Sequence, residues 1–77
     1  MAALVRNVAQ MVPGEVAVVS GFTDELLSVK LMEMGCLPGS TIRFNFTAAF
    51  GDPICISVSG YELSLRREEA TTISIFN

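Results

Sequence analysis

The chain contains no histidine and no tryptophan, and the first absence removes the most chemistry. Histidine is the side chain that changes charge near neutral pH, the commonest general base and the commonest metal ligand. Without it, hydrolytic triads and imidazole-based metal centres are excluded, and neither thiol has an activating neighbour in the sequence. An enzyme is not expected. Tryptophan is missing and tyrosine occurs once, as Tyr61, so an aromatic groove for proline-rich peptides is poorly supplied. Positive charge is also scarce. Five Lys and Arg face eight Asp and Glu, a net charge of −3. The cations Arg6, Lys30, Arg43, Arg66 and Arg67 are scattered, with only the last two adjacent. Nucleic-acid binding needs a basic stripe that neutralises phosphates, so no nucleic-acid partner is expected. Nor does any apolar run approach the roughly 18 residues that cross a bilayer, so membrane insertion is not expected. The opening Met1-Ala2-Ala3-Leu4-Val5 meets Arg6 and Asn7 too early for the apolar core of a secretion signal. A cytoplasmic location follows as the expectation, with Cys36 and Cys55 as reduced thiols.

What remains is short and apolar. With 77 residues, of which 51% are hydrophobic, the chain reads as one domain over 1–77. Chains of this size bury only about 60% of their unfolded surface. The core is thin, and apolar residues are left over for an outward contact surface.

Turn signals divide the chain into short strands around one helix. Pro13-Gly14 makes a turn, and Val16-Ala17-Val18-Val19 reads as a buried strand. Thr23 is the expected helix cap, with Asp24 and Glu25 favourably placed on the first turn. The helix should run from Asp24 to about Met34, where Gly35 stops it. From Thr41 to Thr47, Ile42, Phe44 and Phe46 alternate with polar residues, the period of a half-buried strand. After Gly51-Asp52-Pro53, where Asp52 reads as a turn residue, Ile54 to Val58 and Tyr61 to Leu65 form a hairpin hinged at Ser59-Gly60. One helical turn near Arg66–Ala70 leads into a last strand with Ile73 and Ile75 inward. The expected fold is mainly β: a small barrel of about five strands with one α-helix after the first strand.

The order of these motifs resembles the FeoA family. Val12-Pro13-Gly14 matches its opening turn, and Leu31-Met32-Glu33-Met34-Gly35 its helix end. Pro38-Gly39 and Gly51-Asp52-Pro53-Ile54 match two later turns. Gly60, Tyr61, Leu63, Leu65, Arg66, Glu69, Ala70, Ile73 and Ile75 match its C-terminal pattern. The chain departs from the family at Lys30, where Arg is common, at Cys36 and at Ala49-Phe50. Lysine lacks the bidentate fork of arginine. The resemblance implies an SH3-like barrel that acts in ferrous-iron uptake on the cytosolic side, with the membrane transporter FeoB as partner. It also implies kinship with the domain that ends some iron-dependent repressors.

Two sets of residues are candidates for function. Ferrous iron favours imidazole and carboxylate ligands. The donors that could converge at the helix end are Glu33 and Cys36, so an Fe²⁺ site there is one reading and makes the chain a metal-responsive regulatory module. The helix itself supplies the other. Steps of about 100° put Leu27, Leu31 and Met34 on one side, packed on the barrel. Leu26, Val29 and Met32 then fall outside that stripe, where charge would be ordinary. Either a groove of the barrel covers them, or self-association does, making a homo-oligomer, or they dock the transporter.

Overall fold

The computed structural model describes residues 6–76; Met1 to Val5 of the opening stretch and Asn77 lie outside the described residues. Among the described residues six strands form one antiparallel sheet: β1 (Arg6–Asn7), β2 (Val16–Phe22), β3 (Thr41–Thr47), β4 (Ile54–Val58), β5 (Tyr61–Leu65) and β6 (Ile73–Phe76). Their order across the sheet is β1-β6-β2-β3-β4-β5. The helix α1 (Glu25–Glu33) joins β2 to β3, and the single turn α2 (Arg67–Ala70) joins β5 to β6. The sixth strand is β1, a two-residue pairing of Arg6 with Ile75 and Asn7 with Ser74. It is too short to show a period of its own in the sequence. The sheet curves around one apolar core that includes Ala17, Val19, Leu31, Ile42, Ile56 and Ile73, and the fold is SH3-like.

The β4–β5 hairpin turns where expected. Val58 pairs with Tyr61 across Ser59 and Gly60, and both turn residues have positive φ, 51° and 83°. That is the two-residue turn whose twist suits flanking strands. Two strand expectations change in detail. In β2 the burial alternates, with Ala17 and Val19 inside and Val16 exposed. In β3, Ile42 and Phe44 are buried but Phe46 is 56% exposed. The pairing with β4 shifts between Phe44 and Phe46, so an irregularity at Asn45 breaks the alternation and re-aims the last aromatic.

The helix cap also moves by one residue. Asp24, not Thr23, is the N-cap, with extended backbone and a side chain that accepts from the Leu27 N–H at 2.9 Å. The Thr23 N–H instead donates to the Thr72 carbonyl, which ties the strand end to the chain before β6. At the other end Gly35 adopts φ +95°. The Cys36 N–H donates to the Leu31 carbonyl and the Gly35 N–H to that of Met32. These bonds close a Schellman motif, whose usual companion is an apolar contact between the residue after the glycine and the last turn. Cys36 and Leu31, both fully buried, occupy those two positions.

Candidate functional site

The helix is fixed on its inner side. Leu31 has no exposed surface, and Leu27 and Met34 pack half-buried against the core. Its orientation is fixed a second time by Lys30, whose Nζ donates to Glu69 Oε2 at 2.8 Å. Glu69 is nearly buried, and its other oxygen accepts from the Arg66 N–H at 2.9 Å, capping α2. The Lys30 hydrogen bond, followed by the Arg66 N–H, holds the Glu69 carboxyl below the usual carboxylate range, against the opposing effect of burial. One carboxylate thus joins α1 to α2, a link no local pattern in the sequence announces.

The outer side of α1 is bare. Leu26 is 87% exposed, Val29 56% and Met32 37%. Among the described residues the barrel does not cover them. Leu37, just past the helix, is also exposed, so the apolar surface continues beyond the Schellman turn. Apolar residues at the core of a docking patch favour association when a partner removes them from water.

The two metal candidates differ in exposure. Glu33 is exposed at the end of α1, whereas Cys36 is sealed in the core. Burial pushes the Cys36 thiol up to about 11, so the thiolate needed for metal binding is disfavoured near neutral pH. Among the described residues no three His, Cys, Asp or Glu side chains gather into a metal-binding group. Glu33 and Cys36 alone do not make such a group. Cys55, also buried, lies in β4 with its Sγ 4.0 Å from Asn45 Nδ2.

Asp52 has the structural role expected of it. Its Oδ1 accepts from the Arg67 N–H at 3.0 Å, at the first residue of α2. The Arg67 guanidinium in turn donates to the carbonyls of Gly51 and Ala9. This clamp holds a loop in which Phe50 has φ 64° and a fully exposed ring. A bulky residue in the left-handed region is uncommon; the turn signal Gly51-Asp52-Pro53 follows it but does not mark Phe50 itself.

A shallow cleft of about 470 Å³ opens between the end of α1 and β5, lined by Glu33, Met34, Gly35, Tyr61, Glu62 and Leu63. Its walls come from segments far apart in the chain, so sequence patterning could not bring them together.

Comparison with known proteins places these features in context. The FeoA domain model matches residues 6–75. Among solved structures, the chain is similar to an iron uptake regulatory protein (FeoA), with 29% identity, TM-score 0.79, and coverage of 95% of this chain and 96% of that one. It is similar also to the FeoA-like protein of Clostridium acetobutylicum, with 29% identity, TM-score 0.87, and coverage of 97% and 88%. The FeoA of Stenotrophomonas maltophilia, described as an SH3-domain protein and complexed with zinc, shares the fold at 21% identity and TM-score 0.81, over 92% of this chain and 89% of that one. Among curated proteins none matches the sequence.

Proposed function

The chain belongs to the FeoA domain family, and on that premise we propose that it is a non-catalytic accessory protein of ferrous-iron uptake, docking on the cytosolic side of the transporter FeoB. The observation that carries this reading is the outward stripe of α1. Leu26, Val29 and Met32 are exposed on a helix whose inner face and Lys30 contact already anchor it. Apolar groups on a rigid element lose little entropy when a partner covers them, and methionine adapts to an imperfect surface.

The effect on transport would be a population shift. A docked domain changes the transporter's resting equilibrium only by the difference in its affinity for two transporter states. The ferrous ion in this scheme is cargo of the transporter, and the chain need not hold it. The burial of Cys36 and its raised thiol are consistent with that.

The test is capture of detergent-solubilised transporter by immobilised chain. Wild type should retain it. Leu26→Asp and Met32→Asp should each reduce retention at least tenfold, because a desolvated carboxylate opposes binding. Their melting temperatures should stay within a few degrees of wild type, since surface substitutions usually change stability by about 0.5 kcal/mol or less. Equal retention by wild type and both variants would remove α1 as the docking element.

A further inference from the structure

The cleft beside β5 and the strand's open edge have one explanation in common. In a two-residue hairpin the residues flanking the turn, here Val58 and Tyr61, exchange both backbone hydrogen bonds. Because bonded and non-bonded pairs alternate along the ladder, Leu63 and Leu65 also bond inward to β4, opposite Ile56 and Ile54. Glu62 and Ser64 are therefore left with their N–H and C=O groups directed away from β4. No strand among the described residues pairs with that edge. Next to it lies the cleft, with Met34 and Leu63 as apolar lining and Glu33 as acidic lining; Glu62 also borders it, from the position before Leu63 whose side chain takes the other face of the strand. Neither glutamate takes part in an ion pair or side-chain hydrogen bond among the described residues.

We infer that β5 is a second docking edge, which takes an extended peptide segment of alternating apolar and basic residues as an added strand. Side chains of an added strand alternate between the two faces of the sheet. One set would lie beside Leu63 and over Met34 in the cleft, and should be apolar. The other would lie beside Glu62 on the opposite face, and should be basic. Glu33, at the cleft, adds attraction for a cation at the end of the segment. A second copy of the chain is disfavoured as occupant, because it would bring the same glutamates and its own net charge of −3 to the same edge. This edge is independent of the apolar stripe of α1, so the inference stands or falls separately from transporter docking.

The experiment is NMR titration of the isotope-labelled chain with three blocked hexapeptides: alternating valine and lysine, alternating valine and glutamate, and three valines followed by three lysines. The alternating Val-Lys peptide should shift resonances of residues 33–35 and 61–65, and slow hydrogen exchange at the amides of Glu62 and Ser64. It should bind at least tenfold more tightly than either of the others. Ser64→Pro removes an edge donor without removing a bond to β4, and should weaken binding at least tenfold. Glu62→Lys leaves the backbone edge intact and should reverse the preference toward the Val-Glu peptide. Leu26→Asp should bind the Val-Lys peptide as wild type does. Absence of saturable shifts, shifts centred elsewhere, equal binding of the alternating Val-Lys peptide and the one with three valines followed by three lysines, or an unchanged preference in Glu62→Lys would each overturn the inference. So would concentration-dependent pairing of β5 with itself in the absence of peptide.

Discussion

Replacing Leu31 with alanine should cost about 2–5 kcal/mol, the range for truncating a fully buried leucine. Leu31 has no exposed surface and packs in the core while belonging to α1. At this chain length each kcal/mol lowers the melting temperature by roughly 4–8 °C. A drop of at least about 8 °C is therefore expected in a thermal melt followed by circular dichroism. Domain stabilities of about 0.05–0.15 kcal/mol per residue make that loss a large share of the total. The contrast with Leu26, four-fifths or more exposed on the same helix, is the useful part. One leucine holds the helix on the barrel, and the other is free to hold something else. A loss of stability in Leu26→Asp comparable to that in Leu31→Ala would mean that both faces of α1 are structural.

The second large effect is expected at Glu69. Glu69→Ala removes the acceptor of the Lys30 ammonium and of the Arg66 N–H at once. The cost should be about 2–3 kcal/mol at neutral pH, reading charge-assisted bonds at their usual worth and discounting the half-exposed Lys30 end for solvent screening. Glu69→Gln keeps the shape and the Arg66 bond and should lose about half as much. The pH dependence has a definite sign. Since the folded carboxyl is held low, its contribution is present above the unfolded value of about 4.3 and is lost as pH falls through the folded value. The gap between wild type and Glu69→Gln, measured by denaturant titration, should be constant near pH 7 and close progressively below about pH 4.5. A gap that widened on acidification would contradict the ion pair as its source.

The parts of this molecule that could be read from the sequence are those fixed by neighbours in the chain. Gly35 and the residues around it determine the helix end, because a Schellman motif is closed within six residues. Ser59-Gly60 determines the second hairpin in the same way. The helix starts one position later than Thr23 suggests, since Thr23 and Asp24 are both good caps, and the long-range bond of Thr23 to Thr72 decides between them. Phe46 was misjudged because an irregularity at Asn45 is invisible to a count of alternation. At the candidate site, the spacing of Leu26, Val29 and Met32 correctly implied a face separate from the buried stripe. Glu33 and Cys36 are near in sequence yet differ in exposure, since the Schellman turn carries Cys36 into the core while Glu33 stays at the surface. The Lys30–Glu69 link and the cleft beside β5 required tertiary contacts that no local pattern carries.

The strand order has a consequence for biosynthesis. β2 lies between β3 and β6, so one of its two ladders is made with a strand that leaves the ribosome some 50 residues later. Contacts of such separation are slow to form. Until Ile73 has emerged, a nascent chain can assemble the run β2-β3-β4-β5, but β2 exposes an unpaired flank. That flank holds Val18 and Val19, which later pair with Phe76 and Ile75. A chain ending at Thr72 should accordingly be protease-sensitive and prone to associate through β2, whereas adding the four residues of β6 should complete the domain in one cooperative step.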